Sequence, residues 1–144
     1  MFPYRAGGVH RLTRGLIAGA AGTAAMTAST LVEMRVRDRP PSDVPAQTAA
    51  KLLGWDPGER RAERVGTALH VLTGLALGVP SALLPAAAYV PLAFSPDFAA
   101  VPALGLAPPP WRWPPVEVAV SAGHHAAYAA AALAVERRLA RAFG

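Results

Sequence analysis

The chain has 144 residues, no cysteine and a formal net charge of +5. Hydrophobic residues make up 53% of it and charged residues only 16%, against roughly 25% charged residues in an ordinary soluble domain. This composition excludes disulfides and thiolate metal sites, and no basic run is interleaved with aromatic residues as nucleic-acid binding requires. Because much of the hydrophobic share is alanine, a membrane location has to be inferred from the length of the charge-free runs.

Three charge-free runs separate clusters of charged residues. The runs hold 18, 32 and 18 residues, at 15–32, 65–96 and 118–135. A membrane span needs roughly 20 residues, and one helix over the middle run would be about 48 Å long, so this run is predicted to cross twice. The sequence thus predicts an all-α integral membrane protein with a single domain over 1–144. This domain is a four-helix transmembrane bundle with a polar loop at 35–64 and spans at about 15–34, 65–82, 86–106 and 117–135.

The first predicted span has small residues at Gly15, Gly19 and Gly22. In a bilayer, close approach across small-residue grooves provides much of the packing energy between helices. We predict a helix-packing face here and favour packing within one chain over homodimerisation, with a homo-oligomer left open. A cleaved signal peptide and a soluble helical bundle are alternatives for this run, and the two later runs favour a membrane span over both.

The polar loop contains a short helical pattern. Ser42 is a candidate N-cap, and Gly54 is a stop signal for a helix that runs through Leu53. Leu52 and Leu53 are expected to rest on the headgroup region, with Trp55 as an interface anchor. The segment is therefore predicted to be an interfacial helix, with a solvated loop as an equal alternative.

The second predicted span places Gly66, His70, Gly74 and Gly78 on one four-residue-spaced row. The three glycines form a predicted packing groove. His70 lies in this groove, so its imidazole is expected to face a neighbouring helix rather than lipid.

The third predicted span contains Pro91, Pro96 and Pro102, and each proline removes a backbone donor. Ser95, Pro96 and Asp97 form a helix start signal, so a break is expected there. An Asp97 that caps a short re-entrant segment at the interface is favoured over an ion-binding Asp97 at membrane depth. If the segment does not cross, three spans remain.

The fourth predicted span carries His124, His125 and Tyr128, and it follows a proline-rich connector. Trp111 and Trp113 in this connector are predicted interface anchors. Polar residues inside membrane spans usually face the bundle interior, so a polar cluster is expected between the second and fourth spans.

The candidate polar cluster comprises His70, Asp97, His124, His125 and Tyr128. Interhelical hydrogen bonding is its favoured role, and the alternatives are a path for protons, ions or small solutes and a metal or haem site. The sequence has no H-E-x-x-H spacing, no Ser-His-Asp arrangement and no Gly-rich phosphate loop. No enzyme activity, metal site or cofactor is therefore predicted.

Five features in a fixed order resemble a known group. They are the glycine-rich second span and the segments "RGLIAGAAGTAAM", "RPPSDVPAQTAAKL", "ALGLAPPPWRWP" and "GHHAAYAAAAL". Their combination over residues 12–135 resembles small actinobacterial multi-pass membrane proteins that are similar in layout to the YagU-like inner-membrane family. The resemblance implies four membrane helices and carries over no reaction, cofactor or catalytic residue.

The predicted function is that of a non-enzymatic structural or accessory protein of the bacterial inner membrane. The lipid bilayer is the expected partner, and nucleic acid is not. The alternative is a small transporter or ion-conducting protein that uses the polar cluster. The orientation is open, because four spans place six Lys/Arg residues on one side and eight on the other.

Overall fold

A computed structural model of the protein describes the chain over residues 6–54 and 58–143, with the side chains of 10–54, 58 and 61–143. The described residues are mainly helical and include no strand, which confirms the all-α prediction. The α-helices are α1 (Ala6–Arg37), α2 (Val44–Leu53), α3 (Glu59–Gly78), α4 (Ala86–Ser95), α5 (Val101–Ala103) and α6 (Pro115–Phe143).

Short turns of other helical types extend two of these helices. A 3-10 turn at Val79–Ala82 continues α3. A π-helical turn at Pro96–Ala100 joins α4 to α5, so the chain is helical without a break from 86 to 103. A further 3-10 turn at Pro110–Arg112 lies in the connector before α6.

Three helical stretches of the described chain are long and apolar enough to cross a membrane: His10–Arg37, Arg61–Ala82 and Pro115–Phe143. Long apolar helices are thus found where the sequence predicts its first, second and fourth spans. The third predicted span is helical over 86–103 and is not among the three stretches. Its helical length is about 27 Å at 1.5 Å per residue.

Pro96 lies at the start of the π-helical turn in this segment. Proline has no amide hydrogen, so Pro96 cannot donate to the carbonyl oxygen of Leu92 one turn earlier. The hydroxyl of Ser95 donates to that oxygen instead, over 2.7 Å. The predicted helix start at Ser95 is therefore wrong, because Ser95 has helical backbone angles and makes no capping bond. The helix widens there and continues through Asp97.

Helix α1 runs antiparallel to both α3 and α6, and it packs chiefly against these two helices. Facing residues along α1 and α3 are Gly19 with Gly78, Thr23 with Gly74, and Thr27 with His70. Facing residues along α1 and α6 are Arg14 with Glu136, Gly22 with Tyr128, Ser29 with His124, and Arg37 with Glu117. Helix α4 is antiparallel to α6, since Phe94 contacts His125 and Asp97 contacts Ser121.

Helix α2 lies against the start of α3. A Cβ atom added to Gly66 would lie 3.1 Å from the backbone nitrogen of Ala46, and Ala46 and Ala49 are buried. The N-cap position is Asp43 rather than the predicted Ser42, whose hydroxyl accepts from the Val44 amide over 3.3 Å. The helix ends at Leu53, and Gly54 follows as its C-cap with a left-handed φ of 63°. Leu52 and Leu53 are exposed beside this end.

The buried core is made of alanines around two tyrosines. Tyr89 of α4 is fully buried and Tyr128 of α6 is 2% exposed. The alanines of this core are Ala18, Ala93, Ala129 and Ala132. Small side chains let the helix backbones approach closely, and the two rings fill the space that remains.

Candidate functional site

The α1–α3 contact is made through the predicted packing glycines. A Cβ atom added to Gly19 would lie 2.6 Å from the carbonyl oxygen of Gly74, and one added to Gly15 would lie 2.6 Å from the Cα of Val79. A Cβ atom on Gly78 would overlap the backbone of Gly15 and Gly19. Only a residue without a Cβ fits at these positions unless the two helices separate.

The α1–α6 contact uses a tyrosine in a glycine notch. A Cβ atom added to Gly22 would lie 2.7 Å from the ring of Tyr128. The Tyr128 hydroxyl donates to the carbonyl oxygen of Gly74 over 2.6 Å, so its side chain crosses the bundle from α6 to α3. Thr23 lies at the same level, and its hydroxyl donates to the Gly19 carbonyl oxygen over 2.8 Å.

Two of the predicted histidines bind hydroxyl groups of α1. The Nε2 atom of His70 lies 3.2 Å from Oγ1 of Thr27, and the Nδ1 atom of His124 lies 2.8 Å from Oγ of Ser29. Thr27 and Ser29 are two residues apart, so they point to different sides of α1. His70 and His124 are thus held by α1 on separate sides and share no hydrogen bond.

A second polar group joins α4 to α6. The Ser121 hydroxyl donates to Oδ2 of Asp97 over 2.9 Å, and Nδ1 of His125 donates to the Ser121 carbonyl oxygen over 2.9 Å. The His125 ring packs against Phe94 and Phe98, with centroids 5.5 Å and 6.0 Å away. Asp97 therefore faces α6 and has a neutral hydroxyl donor as its hydrogen-bond partner.

Tyr89 is the buried polar residue with the fewest partners in this region. Its hydroxyl is enclosed beside that of Tyr128 and makes no hydrogen bond of acceptable geometry.

An open groove of about 340 Å³ lies between α1 and α6 beside His124. Val32, Val36 and Val120 form apolar walls. Gly123 lines the groove as well, and a Cβ atom added there would meet nothing within 4 Å.

Glu33 and Arg37 lie at the end of this groove and belong to an ion-pair network. Arg37 pairs with Glu33 over 2.9 Å and with Glu117 at a shorter distance, while Arg39 pairs with Glu117 over 3.0 Å. The network connects the end of α1 to the start of α6. At the other end of the same two helices, Arg14 pairs with Glu136 over 3.4 Å.

The structure separates the predicted polar cluster into distinct contacts. Tyr128 of α6 bonds to α3, and His70 of α3 bonds to α1. His124 of α6 bonds to α1, and Asp97 and His125 lie together between α4 and α6. Within the described ranges, no three His, Asp or Glu side chains converge as a metal site would require.

The predicted interface tryptophans have different surroundings. Trp111 is 82% exposed. Trp113 packs against Phe98 with ring centroids 5.5 Å apart, and its indole N–H donates to the Pro108 carbonyl oxygen over 2.6 Å. Trp55 lies outside the described residues.

The sequence pattern does not predict the partners of the polar residues. Thr27 and Ser29 were available as signals, because hydroxyl residues in a membrane span often bond across helices. Tyr89 and the pair of Arg14 with Glu136 were also overlooked, and their pairing follows only once α1, α4 and α6 are placed together.

Comparisons with protein-family models, curated proteins and solved structures find no match to the chain. Its contacts define an α-helical protein with three apolar helices of membrane-spanning length. Proposals about its function rest on these contacts.

Proposed function

We propose that this chain is a non-enzymatic integral protein of the bacterial inner membrane with a structural or accessory role. The observation that carries the proposal is the use of its polar side chains. His70, His124 and Tyr128 each bond to a neighbouring helix, and Asp97 bonds to α6 through Ser121. Polar groups that hydrogen-bond between helices in this way hold the helices in register and are not free to bind a substrate.

The proposed bundle has four spans, with the segment from 86 to 103 as the third. Support comes from the antiparallel course of this segment beside α6, where Tyr89 lies beside Tyr128 and Asp97 contacts Ser121. A length of about 27 Å approaches the roughly 30 Å of bilayer hydrocarbon. This layout agrees with the proposed likeness to the YagU-like family, which also implies four helices.

Cysteine accessibility tests the span number directly, because the native chain has no cysteine. Single cysteines at Gln47, which is exposed, and Ala107 should label from one side of the membrane, and cysteines at Ala6 and Ala142 from the other. Labelling of Ala6 and Ala142 from opposite sides would contradict four spans, since an odd number of crossings separates the two ends.

We propose that the Gly19 face acts within one chain. Gly74 and Gly78 already cover it, so a homo-oligomer would have to use another surface. In a membrane association assay, Gly19→Ile should unfold the bundle rather than convert intact dimers into intact monomers. Folded monomers of Gly19→Ile from a dimeric native protein would contradict this assignment.

A transporter or proton-conducting protein is the second candidate. It is favoured by Asp97, which lies on a π-helical turn next to His125, because such turns are frequent at functional sites. Proteoliposomes with an imposed proton or ion gradient distinguish the two proposals. The structural role predicts no protein-dependent flux. A flux that disappears in Asp97→Asn and persists in Asp43→Asn, an exposed control, would establish the second candidate.

A further inference from the structure

The antiparallel packing of α1 and α6 brings two basic segments together at one end of the bundle. Arg14 and Glu136 pair there over 3.4 Å and mark the point of contact. Four other arginines lie within two turns of this pair, and all four are exposed and make no ion pair among the described side chains. These residues, called the cationic face below, are Arg11, Arg137, Arg138 and Arg141.

The opposite end of the bundle has a balanced charge. Outside the proposed spans, segments 33–64 and 104–117 together contain eight Lys/Arg and seven Asp/Glu residues, a net charge close to zero. Arg37 and Arg39 are tied to Glu33 and Glu117 in that region. By contrast, segments 11–14 and 136–141 contain five arginines and one acid, so the excess positive charge lies at one end.

The depth of the cationic face fits a membrane surface, an inference that rests on the proposed membrane location. The charge-free runs of α1 and α6 begin at Gly15 and end at Val135, so the arginines follow directly outside the apolar belt. Leu12 and Phe143 are exposed among them at 50% and 69%. Arginine heads beside apolar side chains are typical of the zone where headgroups meet acyl chains.

We propose that the cationic face binds the headgroups of anionic phospholipids. Guanidinium groups pair with phosphate through two parallel hydrogen bonds, and several basic residues beside a membrane helix attract anionic lipid. Among the described side chains, no acidic group pairs with these four arginines. At the opposite end the sequence places nearly as many acids as cations, which weakens its attraction for anionic lipid.

The test uses the full chain reconstituted in vesicles of phosphatidylglycerol and phosphatidylcholine. The protein is extracted gently, and mass spectrometry measures the ratio of the two lipids that it retains. The test variant replaces all four residues of the cationic face by glutamine. The matched control replaces four exposed arginines of the opposite end: Arg35→Gln, Arg61→Gln, Arg64→Gln and Arg112→Gln.

The native protein should retain phosphatidylglycerol above its share of the vesicle lipid. The test variant should lose this enrichment by roughly fivefold to tenfold, and the control should keep it. Equal ratios for the native protein and the test variant, or an equal loss in the control, would overturn the proposal. Carbonate extraction of the same vesicles separates the two claims. Release of the native protein contradicts the membrane location, whereas retention without lipid preference contradicts the cationic face alone.

Discussion

Helix α1 uses different chemistry on its two packing faces. Against α3 it presents Gly15 and Gly19, where the backbones touch, and the exposed contact of Thr27 with His70 is the polar addition to this face. Against α6 it presents Ser29 and charged residues at both ends, which find partners on α6. The first face depends on shape and the second on polar pairs, so they should respond to different substitutions.

The largest effect is expected on the shape-dependent face. Gly78→Ala places a methyl group on the backbone of Gly15 and Gly19, so the helices must separate. Overpacking of this kind costs about 1–3 kcal/mol of unfolding free energy. Gly123→Ala is the matched control, since its Cβ atom enters open space and alanine is the better helix former. Equal stability of the two variants in denaturant unfolding would contradict the α1–α3 contact.

Tyr128 provides the next test, because it packs against Gly22 of α1 and hydrogen-bonds to Gly74 of α3. Tyr128→Phe removes the hydrogen bond to the Gly74 carbonyl oxygen and should lower the unfolding free energy by about 0.5–1.5 kcal/mol. Tyr89→Phe is a close control in the same core, with a hydroxyl that makes no hydrogen bond of acceptable geometry. Its stability should be unchanged or higher. A greater loss in Tyr89→Phe would show that the two hydroxyl groups have been assigned the wrong roles.

The smallest effect is expected at His70. Its contact with Thr27 is long, at 3.2 Å, and exposed, so His70→Gln should change the unfolding free energy by less than about 0.5 kcal/mol. Reversible unfolding in mixed micelles measures this difference. A loss as large as that of Gly78→Ala would mean that His70 has a buried role that the structure does not show.

The difference between the two faces also explains what could be predicted from the sequence. Charge-free runs indicate long apolar helices, because length and hydropathy are local properties that need no partner. The spacing of Gly15 and Gly19 identified a face that the structure covers with α3, although spacing alone could not name the covering helix.

The partners of the polar side chains could not be predicted from such local patterns. The sequence places His70 and His124 in one predicted polar cluster, yet each binds a hydroxyl on a different side of α1. Whether a histidine meets a serine or another histidine depends on helix order and rotation, and these are set by the whole bundle. Pro96 shows the same limit. Its missing amide predicts a helix break, but the Ser95 hydroxyl donates to the Leu92 carbonyl oxygen and the helix continues.

The contact of Ser29 with His124 tests the structural role of the polar residues most directly. A double-mutant cycle of Ser29→Ala and His124→Ala, measured as unfolding free energy in bilayers, isolates the energy of this pair. The account predicts a favourable coupling of about 0.6 kcal/mol and at most about 1.7 kcal/mol, the range found for hydrogen bonds between membrane helices. Strictly additive effects of the two substitutions would contradict it, because His124 would then have no structural partner on α1.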